Sequence, residues 1–337
     1  MHAPDGFLNA GTAVATGAVS AGAIGVSLRQ MRTTLQEKQV PLAGLTGAFI
    51  FAAQMFNFPV AAGTTGHLLG GALAAVLLGP FTGAVVVTVV VVVQALAFAD
   101  GGLTALGYNI LNMAIITAFG GYGIFRLSRR VLPANASGVV VATGLAAGLS
   151  VPLSAMAFAI QWLFGATAPV PFDTVFGAMV GVHLLIGIGE GIISAMVVAA
   201  VMASRPDLVY GARDLTRAQA AERPRIGMRA FLIAAGLVAL VVATVVSQFA
   251  VDNPDGLERV AEDQGFIDSA RDHALGGSPF ADYATQGLDN EALSLAVAGI
   301  VGVVITLLVG FGVVLAVRDR RAGGQPSGSP PARAGTG

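Results

Sequence analysis

From Pro41 to Ala99 the sequence contains no Asp, Glu, Lys or Arg. A soluble chain of this length cannot bury so long a neutral, apolar run in one core. Lipid removes the problem, because there the apolar side chains need no hiding and helices satisfy their own backbone polar groups. The whole chain agrees: 55% of its residues are hydrophobic and 11% charged, against about 25% charged in soluble domains. The expected fold is therefore an all-α integral membrane protein with the lipid bilayer as its solvent. The net charge of −1 gives no footing for nucleic acid. Cysteine is absent, which excludes disulfides, thiolate metal sites and cysteine nucleophiles.

A spanning helix needs about 20 apolar residues. Segments of that character lie at 8–28, 41–57, 67–79, 81–99, 104–125, 138–163, 175–203, 229–249 and 291–317. The third is short, and it exists as a separate crossing only if Gly79-Pro80 is a tight turn. Basic residues in short loops set orientation. Arg29, Arg32 and Lys38 follow the first segment, Arg126, Arg129 and Arg130 the fifth, Arg205 to Arg229 the seventh, and Arg318, Arg320 and Arg321 the last. All four clusters share one side only with nine crossings, the N-terminus outside and the C-terminus cytoplasmic. The expected organisation is a seven-span unit over 1–203, a basic cytoplasmic linker over 204–228, and a two-span hairpin over 229–317. The hairpin carries a polar, acidic outside loop over 250–290. Residues 318–337 read as a disordered tail.

The N-terminus, MHAPDGFL, lacks a basic n-region and a cleavage site, so the first residues are expected to persist. A free Met1 amine, the His2 amide nitrogen and the His2 ring Nδ1 can together chelate a metal ion. Such nitrogen sets suit Ni(II), Cu(II) or Co(II). An early histidine alone is common and carries little weight. His67 adds to it, lying in NFPVAAGTTGHLLGG, where Pro59 and four nearby glycines favour irregular backbone. An ionisable side chain at membrane depth marks function by default. Thr64 and Thr65 are placed to orient its ring as outer groups. His183 and Glu190, in GVHLLIGIGEG, are about two helical turns apart and share a face. They read equally as a polar pathway or as interhelical hydrogen bonding. Asp100, Asn109 and Asn112, in FADGGLTALGYNILNM, read as helix packing and a turn, with an outer-shell role as the sharper alternative. His273 falls in the acidic loop, where a solvated histidine is the plain reading.

These residues carry a resemblance. The start MHAPDGFL, the stretch NFPVAAGTTGHLLGGALAAVLLGP and the stretch QALAFADGGLTALGYNILNM resemble the CbiM/NikM family, the substrate-capture (S) components of energy-coupling factor transporters for cobalt and nickel, over about 1–203. The later NPDGLERVAEDQGF resembles the PDGLE domain, related to the small CbiN/NikN accessory subunits. The resemblance implies a capture subunit fused to its accessory subunit. It implies metal held by the Met1 amine, the His2 amide and imidazole, and His67. The motif reads GTTGH rather than GTSGH, which removes no ligand. The implied cargo is Co2+ for cobalamin synthesis, with Ni2+ as the alternative, and no permanent cofactor. The implied partners are two cytoplasmic ATPases and a transmembrane coupling (T) protein in the cell membrane.

Rival classes find less support. An enzyme would show a catalytic constellation, and there is no HExxH; a metal-binding membrane protein not coupled to ATPases stands as the lesser alternative. A self-sufficient pump needs a phosphate loop with a lysine, whereas the one lysine, Lys38, sits in LQEKQV.

Overall fold

The computed structural model describes residues 1–61, 63–218 and 226–322. Seven helical stretches in it are long and apolar enough to cross a membrane. They are α1 (Ala10–Thr34), α4 (Pro80–Ala97), α5 (Leu106–Ser128), α6 (Ala136–Gly165), α7 (Phe172–Ser204), the Met228–Phe249 stretch and the helix beginning at Glu291. The protein is a multi-pass membrane protein. Two further helices complete the bundle. α2 (Gln39–Gln54) has 16 residues, about 24 Å at 1.5 Å per residue. α3 (Gly71–Leu78) has 8.

The third expected crossing needs correcting. Sequence placed a helix over 67–79, but helix runs only over Gly71–Leu78. Above it the chain is a small antiparallel ribbon, β1 (Phe58–Pro59) against β2 (Thr65–Gly66), followed by irregular backbone through Gly70. Two causes are visible. Gly70 takes a left-handed conformation (φ 79°) against Ile50, where a Cβ would approach within 2.8 Å. The Leu69 and Gly70 amides are taken by the Glu190 carboxylate of α7 at 2.6 and 2.9 Å, which replaces a helical turn. At the other end of α3 the expected tight turn is present. Gly79 has φ 90°, and Pro80 opens α4, where its missing N–H is no loss.

The basic loops gather at one end of the bundle. Lys38 meets Asp207, Arg129 meets Asp214 at 3.5 Å, and Arg205 pairs with Asp207 at 2.9 Å. That pairing holds the Arg205 guanidinium above, and the Asp207 carboxyl below, their ordinary ranges. The first part of the expected linker is packed, with Leu208, Val209, Ala212 and Leu215 buried. Arg318 lies in the last helix rather than in a tail. The rest of the expected tail, from 323, and linker residues 219–225 lie outside the described residues.

The C-terminal hairpin is built into the bundle. Its helices, α8 (Met228–Thr244) and α10 (Glu291–Ala322), flank α2. Glycines allow the approach: a Cβ at Gly44 would lie 2.7 Å from the Leu307 carbonyl, and one at Gly302 2.0 Å from the Phe51 ring. Between α8 and α10 the acidic loop folds over the end of the bundle opposite the basic loops. Its one longer helix, α9 (Gly256–Asp263), is capped by Asp255, whose Oδ1 accepts from the Leu257 and Glu258 amides. Gly302→Val is expected to lower stability by about 1–3 kcal/mol through overpacking. Thermal unfolding in detergent checks this, and the same change at the open Gly312 serves as control.

Candidate metal centre

The first eight residues form an extended arm threaded into the bundle. Hydrogen bonds from the bundle and the C-terminal loop hold its carbonyls from Ala3 to Phe7. Asn109 of α5 pairs with both sides of Ala3, donating to its carbonyl and accepting from its amide at 3.0 Å each. Gly102 donates to the same carbonyl. Tyr108 donates to the Pro4 carbonyl at 3.1 Å. Asp5 accepts from the Leu103, Thr104 and Ala105 amides, so its carboxylate sits at the start of α5 where helix N–H groups lack partners. Gly102 permits this, because a Cβ there would lie 2.2 Å from the Asp5 amide. The Met1 side chain is buried, with the Ser154 hydroxyl of α6 at 3.6 Å from its sulfur.

The arm delivers the terminal amine to His67. Met1 N lies 2.7 Å from His67 Nε2. His67 Nδ1 is 3.1 Å from the Leu68 carbonyl. A carbonyl only accepts, so Nδ1 carries the hydrogen and Nε2 faces the amine with its lone pair. The His2 and His67 rings stack, centroids 5.1 Å apart and 23° from parallel. His2 Nε2 is 3.0 Å from Gln94 Oε1, and its Nδ1 is 3.3 Å from Asp100 Oδ1. Among the described residues, no hydrogen bond takes the His2 backbone N–H. Burial lowers the His2 imidazole to about 4, with Asp100 opposing the shift, so the ring is neutral at physiological pH.

One ligand-type group comes from the C-terminal loop. Asp255 Oδ2 pairs with the Met1 ammonium and lies 3.6 Å from His67 Nε2. Burial acts to raise this carboxyl, but the Met1 ammonium beside it brings it well below the usual range. Thr65 seats the loop, its hydroxyl and amide bonding the Asn253 and Pro254 carbonyls. Gly256 fits against Ile186 and His183, where a Cβ would come within 2.5 and 3.0 Å. A cavity of about 510 Å³, bordered by His2, His67, Asp100, Asp255, Glu258 and Tyr283 among others, opens between loop and bundle. Burial raises the Glu258 carboxyl, with Asp255 adding to the effect.

The structure thus brings Met1, His2 and His67 together with Asp100 and Asn109 around them. Thr65 holds the loop rather than the His67 ring. Thr64 contributes its backbone, accepting from the Val60 amide and donating to the Ala61 carbonyl. Asn112 points elsewhere, exchanging two hydrogen bonds with Gln161 of α6 at 3.0 and 2.7 Å. It parts from Asn109 because the helix turns π-helical from Ile110 to Ile116, which changes the angular spacing. His183 and Glu190 are both buried on α7 but serve different neighbours. Glu190 anchors the chain beside His67, and His183 Nδ1 bonds the Met179 carbonyl at 2.7 Å. Sequence reasoning missed Asp255, Gln94 and Tyr283. The signal for Gln94 was a lone amide in an otherwise apolar helix, VVVTVVVVVQALA. Among the described residues no three His, Cys, Asp or Glu side chains form a metal cluster. A nitrogen set that draws two ligands from the backbone contains only two such side chains.

Comparison with known proteins accords with this architecture. Residues 2–208 match the CbiM family, described as the cobalt uptake substrate-specific transmembrane region, and 229–319 match the PDGLE domain. A putative fused nickel transport protein NikMN of Archaeoglobus fulgidus is 35% identical over 92% of this chain and 97% of its own. The fused nickel transport protein NikMN of Rhodobacter capsulatus is 32% identical over 96% of this chain and 100% of its own. A crystal structure of a transition metal transporter superposes with a TM-score of 0.54 at 31% identity, covering 64% of this chain and 98% of that one. The chain belongs to the CbiM family and carries a PDGLE domain on the same polypeptide.

Proposed function

We propose that this protein is the substrate-specific membrane component of a transition-metal importer, and that it captures the ion with Met1, His2 and His67. The carrying observation is the 2.7 Å separation of Met1 N and His67 Nε2 inside the bundle. Two nitrogens at right angles around one ion, each about 2.0 Å from it, stand about 2.8 Å apart. The His2 amide and Nδ1 close a five- and a six-membered chelate ring with the amine, giving four nitrogens in all. The relatives similar over most of the chain are named nickel transport proteins, and a planar nitrogen set suits nickel. On this support Ni(II) is the first reading here, where the sequence alone favoured Co(II). Co(II) is the second reading, favoured by the family's description and by relatives named cobalt transport protein CbiM that match 62% of the chain.

The basic end faces the cytoplasm by the positive-inside rule, which puts the amine and the PDGLE loop outside, where metal arrives. Membership of a transport-component family implies other subunits. Energy comes from ATPase subunits acting through a membrane coupling protein. Acidic groups at the cavity mouth favour a hydrated cation.

The test is metal content of the purified full chain, its intact mass confirming Met1, with Ni(II) and Co(II) competing. About one ion per chain, lost in His67→Ala, supports the reading. A chain that takes up neither ion contradicts it. The His2 amide must lose its hydrogen to ligate, so binding releases protons and tightens as pH rises. Calorimetry in buffers of different ionisation heat checks this, and zero net proton release would contradict amide ligation.

A further inference from the structure

An imidazole that ligates through one nitrogen carries its single N–H on the other, so for His2 the place of that hydrogen decides whether Nδ1 can ligate. The surrounding donors and acceptors fix that place in order. Asp100 Oδ2 is a carboxylate oxygen and only accepts, so the Tyr283 hydroxyl donates to it at 2.6 Å. That spends the one Tyr283 hydrogen. The phenol oxygen therefore accepts from Gln94, which must turn its NH2 toward Tyr283, at 3.0 Å. The opposite end of the amide, Oε1, then faces His2, 3.0 Å from Nε2. An amide oxygen only accepts, so Nε2 bears the hydrogen. Nδ1 is left bare and lies 3.3 Å from Asp100 Oδ1. In the ring with its single hydrogen on Nε2 these are two electron-rich atoms side by side, and a divalent cation relieves their repulsion.

Tyr283 belongs to the C-terminal loop, and its placement is over-determined. Its backbone has φ 58° and that of Asp282 54°, a conformation that non-glycine residues rarely adopt. Such strain persists only where surrounding structure holds it. Here the Asp282 amide bonds the Phe98 carbonyl at 2.8 Å, and the Tyr283 ring stacks on Phe98 with centroids 5.1 Å apart. Gln94 itself is fully buried on α4.

We propose that the PDGLE loop sets the tautomer of His2 through Tyr283 and Gln94, so that Nδ1 is presented bare to the incoming metal ion. The inference deepens the capture reading above and rests on it. Gln94 and Tyr283 are positioning residues: neither touches the ion, and both act through the His2 ring. The fused domain thereby completes the site from outside, beyond whatever its acidic residues do in attracting cations. A metal-ligating histidine whose other nitrogen loses its partner typically binds about 10–100-fold more weakly.

The test uses the full chain in detergent, with histidine ring nitrogens isotopically labelled. Nitrogen spectra of metal-free protein distinguish a bare from a protonated ring nitrogen, and His2→Ala assigns the His2 signals. Ni(II) affinity is measured against a competing chelator. The expected results are an Nε2–H tautomer in the native chain, a mixed or reversed tautomer in Gln94→Met and Tyr283→Phe, and affinity about 10–100-fold lower in Gln94→Met. Gln94→Glu, whose carboxylate accepts the same N–H, is expected to keep the tautomer and bind more tightly than Gln94→Met. Tyr283→Phe, a change of one atom in the loop, covers the case in which Gln94→Met fails to fold. An Nδ1–H tautomer in the native chain overturns the proposal, as does an unchanged tautomer with unchanged affinity in both variants. Because the tautomer is read without metal, failure of the capture reading looks different: a native chain with Nε2–H on His2 that binds no ion.

Discussion

Alanine at His2 or at His67 is expected to weaken metal binding by at least about 100-fold, beyond the range typical of losing an outer partner of a ligand. His2→Ala is the more severe, because it removes the imidazole and the six-membered chelate ring, leaving the amine, the amide and His67. His67→Ala removes the fourth nitrogen. Apart from its contacts with Met1, His2 and Asp255 inside the site, the ring's one hydrogen bond among the described residues is to the adjacent Leu68 carbonyl, so little outside the site is lost. A four-residue extension ahead of Met1 abolishes the same binding by moving the amine away from His67. A single inserted residue is the weaker test, because an amine, two amides and a third-position imidazole already make four nitrogens. Chelator competition on purified protein measures all three variants. Near-native affinity in His67→Ala or in the extended chain would contradict the ligand set.

Glu190→Ala is expected to have the largest effect on stability of any change outside the site. Both carboxylate oxygens accept backbone amides, from Leu69 and Gly70, at the buried start of α3. Each orphaned amide costs about 1–3 kcal/mol, so the loss is about 2–6 kcal/mol. The same amides fix the descent of the chain from His67 into α3, so metal binding falls as well. Glu190→Gln keeps one acceptor oxygen and is expected to recover part of both losses. Unfolding in detergent, with and without metal, separates the two readouts. Native stability in Glu190→Ala would remove the carboxylate from its anchoring role.

Membrane character, most helix boundaries and the Gly79-Pro80 turn were legible because apolar length and glycine-proline chemistry are local properties. The His67 segment was legible as irregular from its glycines. Its true extent was not, because a distant carboxylate, Glu190, unwinds it. The two threonines of GTTGH read as partners of the ring next to them, whereas Thr65 holds Asn253 and Pro254, nearly two hundred residues away in sequence. Asn109 and Asn112 were read on one helical face, and the π-helical stretch from Ile110 separated them. Asp255 stood within a recognisable motif, but nothing in its neighbourhood tells that its carboxylate reaches the chain's own amine. Tyr283 is the extreme case: its role depends on a donor–acceptor order that exists only once four side chains from three segments meet.

X-ray absorption at the metal edge, on the full chain loaded with Ni(II), tests the central claim most directly. The account predicts a first shell of four nitrogens at about 2.0 Å, with imidazole outer-shell scattering from His2 and His67 that falls by half when the weakly binding His67→Ala is loaded at saturating Ni(II). A shell of oxygens, or one that is unchanged in His67→Ala, would contradict it.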